Sequence, residues 1–122
     1  MILPDTAIWI DHIHGKDEQL AALLRGRMVL VHPFVIGEIA LGSMKRYDAI
    51  IESLTALKPT PVASDEEVRV MIRQHKIMGA GIGYVDAHIL ASAMLVSGGS
   101  VWTRDKRLRR VAEAMDIAYP AP

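Results

Sequence analysis

The feature that most narrows the choice of fold is an alternation. Short apolar runs at Met1–Pro4, Met28–Val31, Pro59–Ala63, Ser100–Thr103 and Ile117–Tyr119 are separated by segments with helical spacing. Parallel strands need a long crossover, usually a helix, to return to the same edge of a sheet, so strand–helix–strand alternation predicts parallel pairing. The expected fold is α/β: a three-layer α/β/α sandwich around a short, mostly parallel sheet. Helices are expected at about residues 6–13, 17–24, 34–44, 48–57, 65–78, 84–96 and 105–114. Pro59 and Pro61 each delete a ladder donor, which confines their run to a short or edge strand. Ser64 and Glu67 form a capping-box pattern at the start of the helix that follows. Asp17 opens the second helical stretch, and residues 120–122 form a frayed Pro-Ala-Pro tail.

At 122 residues with 51% apolar side chains the chain closes one core, so a single domain over 1–122 is expected. Lys and Arg number 14 and so do Asp and Glu, giving a formal charge of zero. No global basic field draws the chain to phosphate backbones, and any nucleic-acid contact must come from a local patch. The absence of cysteine excludes a disulfide scaffold, a thiolate zinc site and a cysteine nucleophile. The opening residues have no basic run before an apolar stretch, and no apolar run approaches ~20 residues. A soluble, cytoplasmic protein without a membrane segment is expected.

Single acids placed inside uncharged stretches point to the chemistry. Asp5 is the only charged side chain in residues 1–10, Glu38 the only one between Arg27 and Lys45, and Asp86 the only one between Lys76 and Arg104, histidines aside. Glu38 and Asp86 also lie on apolar stripes of their helices. A desolvated carboxylate costs several kcal/mol or takes up a proton, and several together repel one another. No Lys or Arg is near in sequence, so a divalent cation, Mg²⁺ or Mn²⁺, is the economical counter-charge for such oxygen ligands. Asp5 and Asp105 each follow an expected strand, where ligands of open parallel sheets bind. Taken one at a time, the acids have structural readings: Asp5 and Asp105 as helix caps, Glu38 as a distant arginine's partner, Asp86 as an amphipathic edge residue.

The ordered segments Met1–Asp11, Pro33-x-x-x-Gly37-Glu38, Gly83-Tyr-Val-Asp86 through Ser92, and Trp102-Thr103-Arg-Asp105-Lys-Arg-Leu108 resemble the signature of PIN domains. More narrowly they resemble the VapC-type toxins of toxin–antitoxin pairs. The resemblance implies a metal-dependent ribonuclease, an acidic quartet of Asp5, Glu38, Asp86 and Asp105, a hydroxyl at Thr103, a VapB-type antitoxin and a homodimer. It also implies tRNA or rRNA substrates, products with 5′-phosphate and 3′-hydroxyl ends, and water as nucleophile. In this reading Asp5, Asp86 and Asp105 hold the ion and Glu38 orients or deprotonates the water. Pro4 departs from the pattern, which usually places a β-branched or apolar residue before the first acid. The competing readings are a PIN-fold binding or scaffold module and a PIN nuclease of RNA processing outside any toxin pair.

Around Asp105 a local basic patch breaks the neutrality: Arg104, Lys106, Arg107, Arg109 and Arg110. Arg104, Lys106 and Arg107 are the expected phosphate contacts. Trp9, one turn past Asp5, is a candidate for stacking on a base, and Trp102 for the core. The five histidines match no zinc spacing and are expected to be non-catalytic. The helices at 19–24 and 34–57 carry surplus apolar residues (Ile36, Leu41, Met44, Ile50, Ile51, Leu54), which marks a partner site. By resemblance that site is the antitoxin groove.

Overall fold

The computed structural model describes residues 1–16 and 18–120. Asp17, expected at the start of a helix, and residues 121–122 of the expected tail lie outside the described residues. The order of elements is β1 (Ile2–Pro4), α1 (Thr6–Ile13), α2 (Gln19–Arg25), α3 (Pro33–Ala40), α4 (Tyr47–Thr55), α5 (Asp65–Gln74), α6 (Tyr84–Met94), β2 (Ser100–Trp102) and α7 (Lys106–Ala114).

The sheet is parallel and β1 lies near its middle. β1 pairs with β2 in the register Ile2↔Ser100, Leu3↔Val101, Pro4↔Trp102. Single parallel bridges extend it on both sides: Ile2↔Val29 and Val31↔Pro59 on one, Val101↔Ala118 on the other. All five expected runs are therefore in the sheet, but three contribute only isolated bridges, two from Met28–Val31 and one from each of the others. Pro4 shows one cause of the brevity. Ile2 donates to Met28 at 2.8 Å on the Val29 side, and Pro4, two residues on, faces the same side with no N–H to give.

The helices fall into two packed groups, α1 with α2 and α3 and α3 with α4, then α5 with α6, which also packs on β1 and β2. α6 is buried at every position from Ala87 to Ala93, so its surroundings are protein on all sides. Two helices end earlier than their apolar spacing predicts. α3 stops at Ala40 rather than near Met44, where Gly42 donates back to Ile39 at 3.0 Å and the Tyr47 hydroxyl takes the Ala40 carbonyl at 2.6 Å. α5 stops at Gln74 rather than near Met78, because Lys76 turns left-handed (φ 54°) and Ile77 donates to Ile72 at 3.0 Å. That closure folds Ile77 back into the core.

Candidate active site

Both strand ends deliver an acid to the same edge. Asp5 follows β1 as the N-cap of α1, with Oδ1 accepting from the Ile8 N–H at 3.1 Å. Asp105 follows β2 as the N-cap of α7, with Oδ1 accepting from the Arg107 and Leu108 N–H groups at 2.9 and 3.0 Å. The capping reading of these two acids thus holds, and it accounts for one oxygen of each. Thr103 joins them: its hydroxyl donates to Asp5 Oδ2 and accepts from the Asp105 N–H at 3.0 Å. Asp5 and Thr103 are buried, at 6% and 4% exposure.

Two helices bring the other acids. Glu38 rides on α3, and its Oε1 accepts from the Thr6 hydroxyl at 2.5 Å. Asp86 sits in the first turn of α6, with Oδ2 accepting from the Gly83 N–H at 3.3 Å. Burial pushes the Asp86 carboxyl above its ordinary range, Gly83 partly offsets this, and the charges of Asp5, Asp105 and Glu38 raise it further. Burial raises the Asp5 carboxyl too, against the bonds from Thr103 and Ile8, and Arg104 is the weakest influence on it. Four acids from four segments therefore share one negative field.

Their chemistry fits a hard divalent cation. Each carboxylate has at least one oxygen tied to a protein donor, and among the described residues no three acids or histidines stand placed to hold an ion between them without rearrangement or bridging water. Glu38 Oε2, Asp86 Oδ1 and Asp105 Oδ2 have no protein donor among the described residues. A loose set of oxygens suits Mg²⁺, which keeps several waters and takes only one or two carboxylates directly.

Residues 2–114 match the PIN domain family. The chain belongs to that family. This PIN domain is also 41% identical, over 118 residues, to a protein named Ribonuclease VapC32 in two strains of Mycobacterium tuberculosis. The alignment covers 97% of this chain and 95% of that protein, and it places the PIN domain in the VapC type.

The basic side chains take different places. The Arg107 side chain lies across the 79–83 loop: a Cβ on Gly81, itself left-handed at φ 80°, would stand 3.0 Å from Arg107 Cδ. That loop leads into the turn that carries Asp86. Arg104 reaches Asp11 at 3.0 Å and lies 5.5 Å from the centre of the Trp102 ring. Lys106 is exposed at the first position of α7, Arg109 approaches Glu113 at 3.9 Å, and Arg110 lies beside His75 and Lys76.

Trp9 is corrected by the structure. Its side chain is 2% exposed and belongs to the core, so its faces are covered by protein and no base can stack there. The helical spacing that puts Trp9 one turn past Asp5 also turns it inward beside the equally buried Ile8. Trp102 is in the core as expected, at 1%.

The surplus apolar surface forms a groove of about 960 Å³ between α1, α2 and α4, lined by Trp9, Ile13, Leu24, Met44, Ile50, Leu54 and Leu57 among others. Of the residues expected there, Met44, Ile50 and Leu54 line it, while Ile36, Leu41 and Ile51 do not, and Leu41 is 90% exposed.

Three features were invisible to pattern reading. Thr6 holds Glu38 only because α1 and α3 pack together. His32 caps α3, its Nδ1 accepting from the Phe34 N–H at 3.0 Å. His88, in the middle of α6, lies against the rings of Phe34 and Tyr84. The His-Pro pair at 32–33 was the one available hint of the cap.

Proposed function

We propose that the chain is a divalent-metal-dependent endoribonuclease and the toxin of a VapBC-type toxin–antitoxin pair, acting in the cytoplasm. The observation that carries this reading is the shared field of the four acids, in which Asp86 feels the charges of Asp5, Asp105 and Glu38 together. The name of the VapC32 relative supports RNA as the substrate.

Asp5, Asp86 and Asp105 would hold Mg²⁺ or Mn²⁺, directly or through water. When bound, the ion lowers the pKa of water and offsets charge growing on the phosphoryl oxygens. Glu38, its Oε1 fixed by Thr6, orients the attacking water and takes its proton at Oε2. Thr103 holds the Asp5 carboxylate in place, a partner role that typically changes ligand affinity or activity 10–100-fold. Arg107, beside the Asp86 turn, Lys106 and Arg104 engage the RNA phosphates. Water attack on the phosphodiester leaves 5′-phosphate and 3′-hydroxyl ends.

The groove at Ile13, Met44 and Ile50 is the seat of the VapB-type antitoxin, and the protein acts as a homodimer. The groove is apolar and its rim carries Lys45 and Arg46, which suits an amphipathic segment with acidic residues.

The deciding experiment incubates purified, antitoxin-free protein with total RNA, with Mg²⁺ or Mn²⁺ and with a chelator. Cleavage that requires the ion and yields 5′-phosphate ends is the expected result. RNA left intact under every condition overturns the enzyme and leaves a binding module.

A further inference from the structure

Of the six aromatic side chains, both tryptophans are in the core, yet Phe34 is 39% and Tyr84 49% exposed. These two rings are held in place. Phe34 lies 4.5 Å and Tyr84 4.8 Å, centre to centre, from the His88 ring, which is itself 2% exposed and backed by His32 at 6.0 Å. The Tyr84 hydroxyl is tied to Asp65 Oδ1 at 2.9 Å. Exposed rings fixed in this way have already lost the rotamer freedom that binding would otherwise cost.

Their place in the fold is specific. Phe34 is one helical turn before Glu38 on α3 and so lies on the same face. Tyr84 opens α6, and its ring lies on the His88 face of that helix, not on the face of Asp86 two residues on. The patch therefore adjoins the acid cleft through α3, where Phe34 and Glu38 share a face, and Tyr84 extends it outward through His88. Arg104, Lys106 and Arg107 sit at the start of α7, whereas the outer edge of the patch carries Asp65, held below the usual carboxylate range by the Tyr84 and His88 bonds, with the charge of Arg69 acting on both Asp65 and Tyr84. That edge carries both signs, so what the patch itself offers a ligand is the uncharged faces of its rings.

We propose that Phe34 and Tyr84, buttressed by His88, are a stacking platform for an unpaired nucleobase next to the scissile phosphate. The proposal rests on the nuclease reading and gives it a substrate class, single-stranded or looped RNA whose base is turned out of its stack. Stacking of this kind contributes through the π-face of any base, so the platform positions the strand without reading its sequence.

The test uses the full chain and fluorescein-labelled 12-nucleotide RNA of mixed, unstructured sequence. Its counterpart is an oligomer of the same length and charge with abasic riboses at the central positions. Affinities are measured by anisotropy in chelator, and cleavage of the same RNA is scored separately with Mg²⁺. We expect the parent to prefer the intact RNA about tenfold. Phe34→Leu and Tyr84→Leu should remove that preference, and Tyr84→Phe, which keeps the ring, should retain it.

Equal binding of both oligomers by the parent overturns the platform, and this comparison needs no variant to fold. A preference unchanged in both leucine variants, with their melting intact, overturns it as well, and either result would mark the patch as a surface for protein. Cleavage without base preference removes the platform and keeps the nuclease. Base preference without cleavage does the reverse.

Discussion

The Thr103 hydroxyl donates to Asp5 and accepts from the Asp105 N–H, so one oxygen ties the first acid to the last. Thr103→Val keeps the shape and removes both bonds, leaving a buried carboxylate oxygen unpaired at a cost of about 1–3 kcal/mol. Cleavage is expected to fall about 10–100-fold, with part of the loss recovered at higher Mg²⁺, and Thr103→Ser should restore it. The acids themselves oppose folding. Burial first, and for Asp86 the neighbouring charges, raise both carboxyls above their ordinary 3.8, so the folded chain binds these protons more tightly than the unfolded one. Their stabilising contribution is complete below pH 3.8 and is lost as pH rises through the folded values. His32 has the opposite slope. Burial, with the nearby His88, lowers it from 6.5 to about 4, so its contribution is complete above 6.5 and is lost as pH falls toward 4. In chelator at pH 7, Asp5→Asn and Asp86→Asn should therefore melt higher than the parent by ~1 kcal/mol while abolishing cleavage. Mg²⁺ at ten times its dissociation constant adds about 1.4 kcal/mol to the parent, a rise on the order of 5 °C, and none to the variants. Thermal melts across pH, with and without the ion, check both; a parent that Mg²⁺ leaves unchanged would remove the ion from this site.

α7 shows two duties on one side chain. Asp105 Oδ1 caps the helix through Arg107 and Leu108, while Oδ2 has no protein donor among the described residues. Asp105→Asn is expected to fold like the parent and lose cleavage, whereas Asp105→Ala loses the cap too, about 1 kcal/mol more by denaturant melt. The elements also mark how much the sequence disclosed. Strand–helix alternation and the lone acids were legible because each is a local pattern: Asp5, Glu38 and Asp86 stand out against uncharged neighbours, whereas Asp105, set among basic residues, was marked by its place after an expected strand. The early ends of α3 and α5 were not legible, since apolar spacing continues past Ala40 and Gln74 and the stop is a left-handed residue or a returning hydrogen bond. Trp9 misled for a related reason. Spacing puts it near Asp5 along the helix, but the face it occupies depends on where α2 and α4 lie.

At the scale of the whole molecule, cleft and groove occupy different surfaces. Met44→Asp and Ile50→Asp, in the groove, should abolish antitoxin capture in a pull-down and leave cleavage by the free protein within about twofold. Equal capture would move the antitoxin elsewhere. The net charge of zero leaves RNA affinity to a few contacts. Arg107→Gln should lower the slope of log affinity against log salt by about 0.7, the value for one phosphate of a single strand, and Arg110→Gln should leave it unchanged. Thr103 and Asp5, each the residue just past one of two adjoining strands, are partners 98 positions apart. A ribosome part-way through this message carries a chain with its first three acids and nothing to close them. Until residues 103–105 have emerged and joined β1, the four carboxylates cannot come into one field.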